Sequence, residues 1–285
     1  MKWFKKYHLE LLLVLPMTFY ILGFTLLPLI RTIILGFQNR YTGKFSLSTY
    51  QALFARPDFL KSISNTFVIA LLSLSIQIVI AFIIALVLKQ RFHGRSIIRA
   101  IVLMPMGIPT IVSGIIALYV FGTSGYFNEL LFKLHLITKP INWLTGNFKG
   151  LLIIALADMW KVLPTLVLLL LAGLDSISQD IYEAAELDGA NSWQSFRFIT
   201  LPLLKPTITM AVLLRAVDVF RIFELPQVLV GKSVPFVSTF AYEEYDIGDL
   251  NGSGVASTIL LLMILVFAIL WLKFVDRGGS FGNDS

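Results

Sequence analysis

Residues 63–88 read ISNTFVIALLSLSIQIVIAFIIALVL, a stretch without one ionisable side chain. Crossing the hydrocarbon core of a bilayer takes about 20 consecutive apolar residues at the helical rise, and this run exceeds that. Its hydrophobic residues are continuous and do not alternate. Lipid offers no hydrogen bonds to a backbone, so a continuous run of this kind spans as a helix. Outward from it lie further runs of the same character: 9–30 before it, and 97–121, 151–172, 206–230 and 255–272 after it. The run at 206–230 is the least apolar. The expected fold is an all-α polytopic membrane protein with six transmembrane helices.

Composition agrees. The 285 residues are 57% hydrophobic and 14% charged, whereas a soluble domain carries about 25% charged residues. The surplus apolar residues have lipid, not an aqueous core, to face. Cysteine is absent, which excludes a disulfide framework, a thiol nucleophile and thiolate metal ligands. The net charge of +6 belongs to loops, not to a nucleic-acid surface, because no basic face interleaved with aromatics is present. The N-terminal MKWFKKYHLELLLVLP has the basic head of a signal peptide. Its apolar run continues to Ile30, beyond the roughly 7–15 residues of a signal core, and lacks an A-x-A-like site. It reads as a retained first span.

Cations set the topology. Lys89, Arg91, Arg95 and Arg99 crowd the loop between the second and third spans, and Lys2, Lys5 and Lys6 precede the first. Both groups belong on the cytoplasmic side by the positive-inside rule. The loop with Arg31, Arg40, Lys44, Arg56 and Lys61 opposes this, but short loops beside spans carry most of the weight. N- and C-termini are then cytoplasmic. The chain divides into an N-terminal span with its external segment, 1–62, and a five-helix core, 63–285, with a cytoplasmic loop at 173–205.

That loop is polar yet patterned as ordered structure. It contains LDSISQDIYEAAELDGANSWQSFRFITLPLLKP. Ser178 suits the N-cap of a helix through Ile181, Ala184, Ala185 and Leu187, since its hydroxyl can accept an unpaired backbone N–H. Gly189 stands where a helix ends in a left-handed residue. Ser192 can cap a second helix through Trp193, Phe196 and Ile199, which Pro202 would end. The product is a helical elbow presenting the small residues Ala184 and Ala185 beside Glu183, a surface that a partner backbone can approach closely. Docking onto lipid head groups is the alternative for such an elbow, opposed by its acidic residues.

The run Glu183-Ala184-Ala185-x-x-Asp188-Gly189-Ala190, followed by Phe196, Ile199, Leu201 and Pro202, resembles the EAA coupling motif of binding-protein-dependent ABC importer permeases, and most closely the MalF-like sugar permeases. Residues 59–66 (FLKSISNT), 103–114 (LMPMGIPTIVSG) and 125–131 (GYFNELL) resemble other stretches of the same family. The resemblance implies a subunit paired with a second permease and two ATP-binding-cassette ATPases, supplied by an extracytoplasmic solute-binding protein. It places this chain in a prokaryotic plasma (inner) membrane, in contact with lipid. ATP and Mg would be bound by the partner ATPases and no cofactor by this chain. Glu183, Ala184, Ala185, Asp188, Gly189 and Ala190 would be the ATPase contacts. Val230-Gly231-Lys232-Ser233-Val234-Pro235 stands where many sugar permeases have Gly-Gly-Pro.

Ionisable residues within a span are costly and face a cavity or a partner. The run 206–230 holds Arg215, Asp218, Arg221 and Glu224 at intervals of three, close enough on a helix to pair. The stripe reads either as the lining of a solute path or as an ion-pair ladder fixing helix register. As a path it would use the charged groups and Phe220 or Phe223 to hold sugar hydroxyls and rings. The resemblance points to Asp218, Phe220 and Arg221 first. The run 151–172 holds Asp158 and Lys161, which read as a pair, and Pro164, which with Pro105 and Pro109 suggests kinks.

Nothing supports an enzyme. Gly231-Lys232-Ser233 lacks the upstream glycine of a phosphate loop, Pro226 standing there. His8, His93 and His135 have no ligand spacing, so no metal is expected. Asn251-Gly252-Ser253 is a sequon by pattern only. The expected function is sugar import, with a di- or oligosaccharide as solute. The alternatives are a permease for a glycerol-phosphate-like polyol and a stand-alone secondary transporter.

Overall fold

The computed structural model describes residues 7–146 and 148–275. Helices carry the whole fold; among these residues the only β pairing is one isolated bridge between Gln38 and Phe45. The chain opens with α1 (His8–Ile21), which runs through a π turn, Leu22–Leu26, into α2 (Leu27–Gly36). A short α3 (Ser48–Phe54) precedes α4 (Pro57–Lys89). Pro57 opens α4 at the position where its missing N–H costs nothing, so this helix begins well before the apolar run at 63.

The third predicted span is broken. α5 (Arg95–Leu103) passes through a 3-10 turn at Met104–Gly107, and α6 (Thr110–Phe121) follows. Pro105 and Pro109 each lack the N–H that a continuous helix needs. α7 (Tyr126–Lys133) and α8 (Phe148–Asp175) come next. From within α7 the buried Asn128 donates to the carbonyls of Thr123 and Ile141 at 2.9 and 2.8 Å and accepts from Trp143 Nε1 at 3.0 Å. One side chain thus closes the whole loop between α7 and α8.

Beyond α8 come α9 (Gln179–Leu187), α10 (Ser192–Ser195), a second π turn at Phe196–Thr200, and α11 (Leu201–Phe220). α12 (Glu224–Leu229), α13 (Val237–Asp246) and α14 (Leu250–Val275) complete the described chain. Five stretches are long and apolar enough to cross a membrane: 12–36, 57–89, 110–133, 148–175 and 250–273. α11 is the sixth long helix and carries Lys205, Arg215 and Asp218.

The predicted span at 206–230 therefore ends early, at Arg221. Pro226 is the reason. In an unbroken helix its ring would clash with the carbonyl of Ile222, four residues back. The chain turns first, and Pro226 falls in the opening turn of α12. The freed Ile222 carbonyl accepts from the hydroxyl of Ser238.

α4, α8 and α11 pack around a core of Ala81, Ala85, Leu88, Leu170, Leu174 and Leu204. Alanines one turn apart let helix backbones approach, which matters where lipid supplies no hydrophobic drive between helices. A second core joins Ala70 and Leu74 of α4, Val219 and Phe220 of α11, and Phe267 of α14. α2 lies on α14 through two glycines. A Cβ on Gly254 would meet Thr32 O at 2.7 Å and Gly36 N at 2.9 Å. Asn251 of α14 donates to the carbonyls of Leu35 and Gln38 at 2.8 and 2.9 Å. Its amide is thus committed to capping α2, and the sequon pattern has no free asparagine. α1, by contrast, has no buried residue among those described.

Arg56 ties the start of α4 to α13. Its guanidinium bonds Glu244 Oε1 at 2.7 Å and Asp58 Oδ2 at 2.7 Å, over the ring of Phe240. The hydrogen bond to Asp58 first, then Glu244, hold its pKa above the usual arginine value against the opposing effect of burial.

Candidate functional site

A cleft of about 420 Å³ opens between α8 and α11, floored by the turn into α12. Asp158, Lys161 and Val162 line it from α8, Arg215 and Asp218 from α11, and Arg221, Phe223 and Glu224 from the turn; Thr110 of α6 closes one side. Three cations thus face three carboxylates.

Its deepest part is a buried network. Arg215 Nε donates to Gln77 Oε1 at 2.7 Å, Gln77 Nε2 donates to Asp158 Oδ2 at 2.8 Å, and the Arg215 guanidinium also pairs directly with Asp158. The Arg215 and Asp158 side chains are 5% and 8% exposed. In an apolar bundle such a pair persists only when each charge is met by its partner and by further hydrogen bonds. Gln77 supplies those, and through it α4, α8 and α11 are held in one register. The expected Asp158–Lys161 pair is not formed: the Asp158 carboxylate turns to Arg215 on the neighbouring helix. Lys161 makes no hydrogen bond or ion pair among the described residues and projects its charge into the cleft.

The outer part is open. Asp218 accepts from Arg221 Nη2 at 3.0 Å and lies 3.8 Å from Arg215 Nη1. Asp218 and Arg221 are 53% and 63% exposed, so this pair can exchange partners at little cost. The stripe expected along one helix is thus split: Arg215 is locked, Asp218 and Arg221 are available, and Glu224 stands beyond the helix end on α12. Phe220 does not line the cleft. It is fully buried on the opposite face of α11, with its ring centroid 5.4 Å from that of Phe267. Phe223 lines the cleft instead, with Tyr242 edge-on behind it at 5.1 Å. Gln77 is not among the residues the sequence singled out, although an amide deep within an apolar span is the signal for it.

The loop that joins α8 to α11 is the predicted elbow. Ser178 caps α9, accepting from the Asp180 N–H at 3.3 Å. Gly189 has φ +80°, and the Ala190 N–H closes back on the Ala185 carbonyl at 2.9 Å. The second helix is capped by Asn191, not Ser192, in a reciprocal box with Gln194. Pro202 does not end it. The π turn at Phe196–Thr200 widens the helix just ahead of the proline, and α10 runs on into α11. Glu183, Ala184, Asp188 and Gly189 are exposed, while Ala185 and Ala190 are half-buried. Around them Leu187, Trp193 and Phe198 are 90%, 69% and 73% exposed.

A helical membrane bundle, a charged cleft between two of its helices, and an ordered elbow connecting those same two helices define a transport subunit. The chain belongs to the family of binding-protein-dependent transport system inner membrane components, whose model matches residues 77–279. It is 34% identical to the trehalose/maltose transport system permease protein MalF of Thermococcus litoralis, over 99% of this chain and 97% of that one. It is 31% identical to the arabinooligosaccharides transport system permease protein AraP of Bacillus subtilis, over 94% of this chain and 88% of that protein. The fold matches that of a chain in a bacterial ABC transporter involved in import of the acidic polysaccharide alginate, with a TM-score of 0.83, 23% identity, and coverage of 98% and 99% of the two chains. This is accordingly a multi-pass membrane protein of an ABC importer.

Proposed function

We propose that this chain is the permease subunit through which an ATP-driven importer passes a neutral di- or oligosaccharide. The observation that carries the solute class is the cleft. Lys161, Arg215 and Arg221 are matched there by Asp158, Asp218 and Glu224. A phosphorylated polyol would need a surplus of cations; hydroxyl groups need donors and acceptors side by side. Asp218 and Arg221 offer both, and Phe223 offers an apolar face for a sugar ring. The relatives named for trehalose/maltose and arabinooligosaccharides favour the same class.

The elbow is the contact for a separate ATPase. Glu183, Ala184, Asp188 and Gly189 form its rim, with Leu187 and Trp193 as apolar anchors, while Ala185 and Ala190 sit close to the helix turn. ATP and Mg are held by two such ATPases, and a second permease completes the path across from the cleft. A solute-binding protein delivers sugar from the far side. α8 and α11 form both walls of the cleft, and the elbow connects those same two helices, so a displacement of the elbow acts on the cleft directly. Alternating access follows from that connection. A stand-alone secondary transporter would have no use for it.

The test is uptake by the complete complex in proteoliposomes. ATP-dependent accumulation of labelled maltose or trehalose is expected, and Arg221→Ala should raise the half-saturating sugar concentration several-fold with the complex intact. Accumulation of glycerol phosphate in preference to disaccharide would overturn the solute class. Uptake driven by an ion gradient without ATP would overturn the importer.

A further inference from the structure

Among the described residues the elbow meets α4 through the rings of Phe196 and Phe82, 5.8 Å apart, and through one hydrogen-bonding side chain, Tyr182, immediately before Glu183. Its hydroxyl lies 2.9 Å from Thr200 Oγ1, and Lys89 Nζ lies 3.4 Å from the same oxygen and 4.4 Å from the ring centroid. Thr200 Oγ1 is in turn 3.4 Å from the Ser195 carbonyl, which can only accept. Lys89 can only donate. The proton order is therefore set along the whole chain: Lys89 donates to Tyr182, Tyr182 to Thr200, and Thr200 to Ser195. Thr200 is 5% exposed, while Tyr182 and Lys89 are half-buried, so the contact is sheltered at its Thr200 end, where a low local dielectric strengthens a hydrogen bond.

The two ends of this chain are significant for what they belong to. Lys89 is the last residue of α4, and Thr200 closes the π turn that leads into α11. Those helices carry Gln77 and Arg215, about 18–22 Å further along at the helical rise. The buried network beside the cleft joins the same two helices at the other end. Small displacements of α9 can thus reach α4, which the chain path from elbow to α8 and α11 does not include.

We infer that Tyr182 is the positioning residue that transmits elbow movement to α4, through its hydroxyl and not through the bulk of its ring. This rests on the elbow being the ATPase contact. The phenol fixes α9 against the end of α4 and the start of α11 together, so that the three helices joined by the Gln77–Asp158–Arg215 network move as one set. Without the hydroxyl, α9 still folds and still presents Glu183 and Ala184, but its motion is lost at Lys89 and Thr200.

The experiment uses the complete complex reconstituted in proteoliposomes, with sugar uptake and ATP hydrolysis measured on the same preparation. Tyr182→Phe keeps the ring over Lys89 and removes only the hydroxyl. Thr200→Val removes the other hydroxyl at nearly constant volume. Each is expected to lower maximal uptake at least fivefold with an unchanged half-saturating sugar concentration, and to raise the ATP hydrolysed per sugar moved by a similar factor. The double variant should lose no more than either single one. Gly189→Pro serves as the control for the elbow itself, because proline cannot adopt a positive φ. Wild-type uptake in Gly189→Pro would remove the ATPase-contact reading. Loss of uptake in Gly189→Pro, with wild-type stoichiometry in both Tyr182→Phe and Thr200→Val, would overturn the inference alone. Additive losses in the double variant would also overturn it, since the two hydroxyls would then not share one contact.

Discussion

Asp158 and Arg215 are charges that an apolar bundle holds only together. Their side chains are 8% and 5% exposed, and Gln77 satisfies both. Removing one partner leaves the other buried without compensation, which costs about 3–5 kcal/mol. Asp158→Asn should therefore lower the thermal midpoint of the purified protein markedly. Asp158→Asn combined with Arg215→Gln should recover most of that loss, because an amide pair of similar shape leaves no bare charge. A double variant no more stable than the sum of its single losses predicts would show that the two residues act independently. The sequence spacing favoured Lys161 as the partner of Asp158. Intrahelical neighbours are visible in a sequence, whereas Arg215 is brought across from another helix only by packing.

Each π turn in this structure stands directly before a helix with proline in second place. Leu22–Leu26 precedes Leu27-Pro28, and Phe196–Thr200 precedes Leu201-Pro202. A proline has no N–H to return to the preceding turn, and a widened turn absorbs the mismatch without ending the helix. This is why Pro202 continues the helix that sequence reasoning expected it to end. Pro226 meets a different outcome, since the chain turns at Arg221 and begins a new helix. Glycine also acts at this scale. Gly254 allows α14 to touch α2, where a Cβ would stand 2.7 Å from the Thr32 carbonyl. That atom is backbone and cannot step aside. Gly254→Leu should separate α2 from α14, costing on the order of 1–3 kcal/mol or more as overpacking does. A lower thermal midpoint and faster proteolysis near Gly36 are the expected readouts; an unchanged midpoint would mean that the crossing relaxes freely.

Taken whole, the molecule has an elbow at one end and the loops around α3, α7 and α13 at the other. The positive-inside reading puts the elbow in the cytoplasm. The chain has no cysteine, so single cysteines report orientation without background. Leu187→Cys, at the exposed tip of α9, should react with an impermeant maleimide only in inside-out vesicles. Tyr41→Cys, which is 90% exposed at its loop tip, should react only in right-side-out ones. The reverse pattern would invert the topology and move the elbow away from any cytoplasmic ATPase. α1 adds a second feature at this scale: an apolar helix whose described side chains are not buried against its own chain, and which so presents them to lipid.

By itself the sequence determined that the protein spans a membrane as helices, because a long apolar run has no other way to satisfy its backbone in lipid. It also determined the elbow, since Ser178 and Gly189 act on their own neighbours through local hydrogen bonds and dihedral preference. Tertiary structure decided which charges are buried and which are free. It turned Phe220 into the core, brought Phe223 to the cleft, paired Asp158 with Arg215 across helices, and placed Tyr182 between Lys89 and Thr200. Each of these depends on how one helix is rotated against another. That rotation is set by packing summed over the whole bundle, which no single stretch of residues contains.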